Sequence, residues 1–197
     1  MYRIHNSYNG EAAVIYFDQA LSKEAHYYVD QEVVAHWEGE TAKRLGIYGQ
    51  EVTKEVFTKL VNKLHPETNQ DLCVRRVENS RAGFDQVYSA PKSVSIMYAF
   101  TKDKALFEAH KKGYSAAAKE IERFIQSQAN TEYGRFFDTT GNNIYAAFDH
   151  FLSRPTEVKI DGKVMQINDM QMHSHLYMPN ITWHEEKQRY QSLKQKY

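Results

Sequence analysis

The sequence is poor in the residues that staple or interrupt a fold. Its 197 residues include one cysteine, Cys73, four prolines and nine glycines. One cysteine excludes an internal disulfide and a thiolate zinc cage, and so little proline and glycine excludes a collagen-like or low-complexity chain. The chain also has no run of eighteen apolar residues and no signal-peptide core at its N-terminus. We therefore expect a cytoplasmic protein of about one domain, with no membrane insertion.

Net charge is absent as well. The 25 basic residues balance the 25 acidic ones, which argues against a strongly basic DNA-binding protein. The balance is uneven along the chain, because residues 1–40 hold two basic and seven acidic residues and the remainder carries a net charge of +5. Any binding of nucleic acid is expected to be salt-sensitive and to rely on the later part of the chain.

Aromatic and histidine residues are abundant, and apolar periodicity organises many of them. The periodicity predicts helices over residues 11–21, 51–64 and 104–128, with Asn9 as a cap of the first. Strands are predicted over residues 84–88, 94–100, 135–138, 143–152 and 171–183. Asp161-Gly162 predicts a hairpin within residues 158–167, whereas residues 184–197 show no core pattern. This mixture predicts an α+β fold, a central antiparallel β-sheet with helices packed on it.

Two histidines lie two residues apart on the last long strand. His173 and His175 point to one face of that strand, while Met172, Ser174 and Leu176 point to the other. Neighbouring imidazoles are suitable ligands for a divalent metal when a third donor is present. His150 could be that donor, because the predicted hairpin would bring its strand alongside. The alternative is that these are ordinary solvent-facing histidines, and we interpret the other six histidines as structural or surface residues.

Tyrosines are the candidate nucleophiles. Tyr16 lies on the first predicted helix, and Tyr27 and Tyr28 follow a short polar segment. A phenol has a pKa of about 10, so it needs a metal on the acceptor or a nearby base to act near neutral pH. The alternative is core packing, which aromatic pairs such as Tyr16-Phe17 often provide.

Several segments together resemble one family. Residues 83–95 read GFDQVYSAPKSVS, which closely resembles the signature of conjugative relaxases of the MobF type, members of the HUH endonuclease superfamily. Tyr16-Phe17 and Tyr27-Tyr28 are similar to the N-terminal tyrosine region of that family. Residues 148–154, FDHFLSR, followed by His173-Ser174-His175, are similar to its three-histidine motif. The order of these segments matches across nearly the whole chain.

The resemblance implies a function in plasmid mobilisation. Relaxases of this type nick one DNA strand at a transfer origin by tyrosine attack, giving a 5′-phosphotyrosine intermediate and a free 3′-hydroxyl. The expected partners are single-stranded DNA of a transfer origin and accessory transfer proteins, and we expect a monomer. The expected cofactor is a divalent metal ion, Mg²⁺, Mn²⁺ or Zn²⁺.

The resemblance also assigns roles to individual residues. Tyr16 matches the initial nucleophile, and Tyr27 and Tyr28 match a pair implicated in a later transesterification. Asp85 matches the acidic residue behind the metal site, where it could orient a histidine or accept the phenol proton. The residues implied as metal ligands are His150, His173 and His175. Lys92 and Arg154 could contact DNA phosphates, or could be surface charges or ion-pair partners.

The chain departs from the family pattern in three ways. Phe17 replaces the second tyrosine of the first pair. The 22 residues between His150 and His173 are more than is usual, and residues 158–169 account for the excess as a hairpin insertion. We interpret residues 1–197 as a single relaxase-like catalytic domain that lacks the C-terminal segments which clamp over DNA. The alternatives are a non-catalytic or truncated single-stranded DNA-binding module and an HUH replication initiator or transposase.

Overall fold

The computed structural model describes residues 2–7, 9–20, 35–73, 80–131, 134–153, 155–160 and 162–194. The helices are α1 (Gly10–Ala20), α2 (Glu40–Arg44), α3 (Lys54–Val61), α4 (Lys92–Thr101) and α5 (Lys104–Glu122). The strands are β1 (Tyr2–Ser7), β2 (Trp37–Glu38), β3 (Gly83–Ser89), β4 (Gln126–Thr131), β5 (Gly134–Thr139), β6 (Tyr145–Leu152), β7 (Thr156–Ile160), β8 (Lys163–Ile167), β9 (Met170–Pro179), β10 (Thr182–His184) and β11 (Arg189–Gln191).

Five strands form the central sheet. Their order is β1-β3-β9-β6-β2, and every neighbouring pair is antiparallel. Three two-stranded ribbons, β4-β5, β7-β8 and β10-β11, complete the strands of the described residues. The predicted α+β fold with a central antiparallel sheet is confirmed.

Helices cover both faces of this sheet. On one, which we call the front face, Phe17 of α1 and Phe57 of α3 pack with Phe148 and Tyr177 of the sheet. On the other, the back face, α5 and α4 pack against the alternate residues of the same strands. Because successive side chains of a strand point to opposite faces, β6 and β9 each contribute to both cores. Among the described residues, no helix has the length and apolar character needed to span a membrane.

The first predicted helix is confirmed, together with its cap. α1 begins at Gly10, and the Ala12 backbone N–H donates to Asn9 Oδ1 at 2.7 Å. An asparagine side chain in this position satisfies an N–H that has no partner within the helix. Ala13 and Phe17, four residues apart, are buried and turn one side of α1 toward the front face.

The strand predicted over residues 94–100 is wrong, because this segment is helix α4. Pro91 precedes its first turn, and Lys102 ends it in a left-handed conformation with φ 53°. Tyr98 is buried against Phe151 with ring centroids 5.0 Å apart, and Val94, four residues earlier, packs on the same cluster. Packing at helical spacing therefore overrides the strand preference of a short run rich in β-branched and aromatic residues.

Other predicted boundaries extend too far. The helix predicted over residues 51–64 is α3, which starts after Thr53, whose side chain accepts the N–H of Val56. The helix predicted over residues 104–128 ends at Glu122, and the chain turns into β4 where the Ile125 carbonyl accepts from Thr140. The strand predicted over residues 171–183 is divided into β9 and β10. Residues 184–197, predicted to lack a core pattern, include β11 and the buried Leu193.

The hairpin predicted around Asp161-Gly162 is present as β7 and β8. Its strands pair from Thr156 opposite Ile167 to Ile160 opposite Lys163. The Ser153 N–H donates to the Asp169 carbonyl at 2.8 Å and closes its base. All five residues of β8 are exposed, so the ribbon projects from the ends of β6 and β9.

Candidate active site

Three histidines form a triangle on the front face. His150 of β6 lies directly opposite His173 of β9, and His175 follows two residues later on the same face. The ring centroids are 5.2 Å apart for His150 and His173, 5.2 Å for His173 and His175, and 5.3 Å for His150 and His175. The structure thus brings together the three histidines that the sequence predicts as metal ligands.

Two of these rings have a second partner that fixes their orientation. His175 Nδ1 lies 2.8 Å and 3.0 Å from the two carboxylate oxygens of Asp85. His173 Nδ1 lies 2.8 Å from the Gln171 carbonyl oxygen. A carbonyl or carboxylate oxygen accepts, so Nδ1 carries the proton in both neutral rings and Nε2 keeps its lone pair. In both histidines, the nitrogen that can bind a metal is therefore Nε2.

The donor chemistry of the triangle fits a divalent metal. With metal–nitrogen distances of about 2 Å and tetrahedral angles, the ring centroids of three imidazole ligands lie about 5 Å apart. Among the described residues, no group of three histidine, cysteine, aspartate or glutamate side chains already has the full geometry of a metal site. The triangle therefore shares the ring spacing and the outer partners of a metal site, but not its complete ligand geometry.

Helix α1 packs beside the triangle through Phe17. The Phe17 ring lies 4.8 Å from Phe57 and 5.9 Å from Phe148, which is two residues before His150 on the same face of β6. Phe17 is 4% exposed, so position 17 serves the core rather than the surface. At 100° per residue, the Tyr16 Cα lies at the margin of the buried side of α1. The Tyr16 side chain is outside what the structure describes.

The remaining predicted site residues are differently situated. Tyr27, Tyr28 and Arg154 lie outside the described residues. Lys92, predicted as a phosphate contact, pairs with Asp169, and its Nζ donates to the Met170 carbonyl at 2.7 Å. In this arrangement Lys92 ties α4 to the base of the β7-β8 hairpin.

The sequence interpretation missed three residues near the site. Arg3 and His5 are exposed on edge strand β1, and their register opposite Val87 and Asp85 puts them on the front face. His110, interpreted as structural or surface, contacts the back of the same strands, with its Nε2 2.9 Å from Ser174 Oγ. Because side chains alternate along β1, Arg3 and His5 lie on the same face of that strand. Only the long-range pairing of β1 with β3 shows that this is the face of the histidine triangle.

Comparison with known proteins gives one consistent family. The sequence profile of the TrwC relaxase family matches residues 10–197. The multifunctional conjugation protein TraI of Escherichia coli is 32% identical over 160 residues, which are 81% of this chain and 8% of that protein. The TraI of strain K12 is 33% identical over 162 residues, with the same coverage. The chain thus spans under a tenth of the length of these curated relatives.

Solved structures agree on the fold. A copper-bound structure of the conjugative relaxase TrwC in complex with OriT DNA superposes with a TM-score of 0.77 at 24% identity, covering 98% of this chain and 62% of the other. A metal-free complex of TrwC with OriT DNA gives a TM-score of 0.72 at 24% identity, covering 98% and 61%. Profile, sequence relatives and fold coincide, and the chain belongs to the TrwC relaxase family.

Proposed function

We propose that this chain nicks one DNA strand at a plasmid transfer origin and transfers it by tyrosine attack on a phosphodiester. The observation that carries the proposal is the triangle of His150, His173 and His175 on the face against which α1 packs. TrwC, whose fold the chain shares, is known in complex with OriT DNA in both metal-free and copper-bound forms. The proposed substrate of this chain is single-stranded DNA of a transfer origin.

The three histidines would hold a divalent cation, with Mg²⁺, Mn²⁺ and Zn²⁺ as candidates. A cation bound there supplies Lewis-acid stabilisation of the negative phosphate oxygens. The protein's own contribution is the orientation of the ligands. Asp85 accepts from His175 through both carboxylate oxygens, which supports a positioning role for Asp85 over acceptance of the phenol proton.

Tyr16 is the proposed nucleophile. Its phenol oxygen forms a bond to phosphorus while the bond from phosphorus to the 3′ oxygen breaks. The phenol gives up one proton and the departing 3′ oxygen gains one, so protons balance and the strand ends as a 5′-phosphotyrosine and a 3′-hydroxyl. One phosphodiester replaces another, so the step stores the bond energy needed to reseal the strand. Tyr27 and Tyr28 are proposed for a later transesterification, with the order between them open.

Cationic groups around the front face would bind the flanking phosphates. Arg3 and His5 extend the front face at its β1 edge, three strands away from β6. We propose Arg3 as a phosphate contact, together with Arg154, while the ion pair of Lys92 with Asp169 makes Lys92 a weaker candidate. We expect a monomer acting in the cytoplasm, with accessory transfer proteins, and residues 1–197 acting as one catalytic domain with residues 158–169 as an insertion.

A covalent adduct assay tests the proposed activity. The protein is incubated with Mn²⁺ and a labelled single strand carrying the transfer origin of its own plasmid, and the products are separated on a denaturing gel. We expect a labelled protein band that chelation of the metal abolishes. Tyr16→Phe should remove the band. The matched control is Tyr48→Phe, since Tyr48 is an exposed tyrosine outside the site and its loss should leave the band unchanged.

Two results would contradict this account. A folded wild-type protein that forms no adduct with cognate DNA and metal would favour a non-catalytic DNA-binding module. An adduct that persists in Tyr16→Phe and disappears when Tyr27 and Tyr28 are both replaced would show that the nucleophile is wrongly assigned.

A further inference from the structure

A chain of buried and half-buried polar groups crosses the back face behind the histidine triangle. Asp149 of β6 and Ser174 of β9 lie directly opposite each other, and Ser174 Oγ donates to Asp149 Oδ1 at 2.5 Å. From α5, His110 places Nε2 2.9 Å from the same Ser174 Oγ. Tyr114, one turn further along α5, also lies beside the Asp149 carboxyl. One helix is therefore linked to both strands at a single level of the sheet.

That level is the level of the triangle. Asp149 immediately precedes His150, and Ser174 stands between His173 and His175. Because adjacent strand residues point to opposite faces, the Asp149–Ser174 bond lies directly behind the three rings. A change in the separation or twist of β6 and β9 at this bond must move His150 relative to His173.

The direction of each hydrogen bond in this chain follows from the donors and acceptors that its side chains offer. The Ser174 hydroxyl has one hydrogen, which it gives to the Asp149 carboxylate, so its lone pairs accept from His110 Nε2–H. Ser174 is fully buried among Met172 and Leu176, where an apolar residue would pack without the cost of desolvating polar groups. A polar side chain at this position therefore lowers the stability of the fold, which indicates that its hydrogen bonds serve to define the local geometry of the strands.

We propose that His110, Ser174 and Asp149 form a positioning network that sets the geometry of the three-histidine metal site from the opposite face of the sheet. The proposal rests on the proposed function of the triangle as a metal site. The three residues of this network touch neither metal nor DNA. They act by holding β6 and β9 in one register and spacing, and small displacements of ligand strands matter because metal–ligand distances tolerate only about 0.2 Å.

Cobalt binding to the folded protein tests the proposal without DNA or catalysis. Co²⁺ is titrated into the wild type and into Ser174→Ala, with visible absorption as the readout of affinity and ligand geometry. Loss of a residue that hydrogen-bonds directly to a metal ligand commonly weakens metal binding about 10- to 100-fold. Ser174 acts one step further from the ligands, so we expect a weakening of up to about 10-fold in Ser174→Ala and an altered absorption spectrum.

Ser127→Ala is the matched control. Ser127 is also fully buried and donates one hydrogen bond, to Gln191 at 2.8 Å, but it lies on β4, outside the central sheet. Both variants remove a buried hydroxyl, so both should unfold at a lower temperature than wild type. Only Ser174→Ala should change cobalt affinity and spectrum. Equal cobalt binding in the two variants would overturn the positioning role and leave the network purely structural.

Variants at His110 provide an independent test with a rescue. His110 and Tyr114 line a cavity of about 730 Å³ on the back face, so substitutions at His110 alter the wall of an open space. The amide of His110→Gln restores an N–H donor for Ser174, whereas His110→Leu does not. We expect near wild-type cobalt affinity in the glutamine variant and a loss in the leucine variant. Equal affinity in both would contradict the network, and absence of cobalt binding by wild type would overturn the metal triangle and this proposal together.

Discussion

Histidine has different tasks on the two faces of one sheet. His173 and His175 present rings on the front face, each with Nδ1 engaged by an oxygen acceptor. His110 instead approaches the same strand from behind and bonds to Ser174. The spacing of His173 and His175 could be read from the sequence because alternation in a strand is local. The role of His110 could not, since it depends on which strand α5 packs against.

His110 gives a prediction for stability at acidic pH. Burial, with a smaller contribution from nearby His173, lowers the pKa of His110 from 6.5 to about 4. Between these values the unfolded chain binds a proton that the folded chain does not, so stability should fall as pH decreases from about 6.5 toward 4. Because His110→Gln has no such group, its deficit relative to wild type should shrink over this range. Urea unfolding at several pH values measures the difference.

The control for this titration is a substitution of a side chain that does not titrate. Ile15→Ala replaces an exposed apolar side chain, so its difference from wild type should stay constant with pH. A His110→Gln deficit that is equally constant between pH 6.5 and 4 would show that His110 does not titrate differently in the two states.

At the scale of elements, α1 connects the front core to the proposed nucleophile. Phe17 packs between Phe57 of α3 and Phe148 of β6, and Lys54 pairs with Asp18 at 2.8 Å on the outer side. Phe17 thus fills the core with a ring that carries no hydroxyl, at a position where a hydroxyl would be buried. The position of α1 on the sheet depends on this ring.

Phe17→Ala should loosen α1 from the front face. Truncation of a buried phenylalanine costs about 3–5 kcal/mol of unfolding free energy, and the helix would lose its main contact with the sheet. We expect that loss in denaturant unfolding and a reduced rate of adduct formation. Ile15→Ala, on the exposed side of α1 with Ile15 58% exposed, should change stability by less than about 0.5 kcal/mol. Similar effects of the two variants would contradict the packing described for α1.

Elements with strong local signals were predictable, and those governed by packing were not. The Asp161-Gly162 hairpin and the Asn9 cap depend on turn and cap chemistry within a few residues, and both are found. Residues 94–100 were predicted as a strand because of their composition, yet Tyr98 and Phe151 pack them as a helix. The end of α5 is likewise set by a distant donor, because the Thr140 backbone N–H bonds to the Ile125 carbonyl just beyond the helix.

At the scale of the whole molecule, strand order is the feature that the sequence alone conceals. β3 lies beside β9, and β9 beside β6, although long segments of chain separate them. This order brings Asp85 to His175 and His150 to His173. The alternation of side chains along a strand predicts the face on which each residue lies. That β3, β9 and β6 lie side by side can be inferred only from the resemblance to a family or from the structure itself.

The charge distribution also becomes meaningful at this scale. The net charge of −5 in residues 1–40 includes α1, so the segment with Tyr16 does not attract DNA by itself. Arg3, one of two basic residues in that stretch, is exposed on the front face. Zero net charge is therefore compatible with local contacts to DNA phosphates through single cationic side chains such as Arg3.

Tyr16 and the histidine triangle are proposed to act on the same phosphodiester. Peptide mapping of the covalent adduct by mass spectrometry can test this, because trypsin cleavage after Arg3, Lys23 and Lys43 separates Tyr16 from Tyr27 and Tyr28. We expect a nucleotide attached to Tyr16 in the peptide of residues 4–23, identified by fragment ions, and no adduct in His173→Ala. A nucleotide on the peptide of residues 24–43, or full labelling of Tyr16 in His173→Ala, would contradict it.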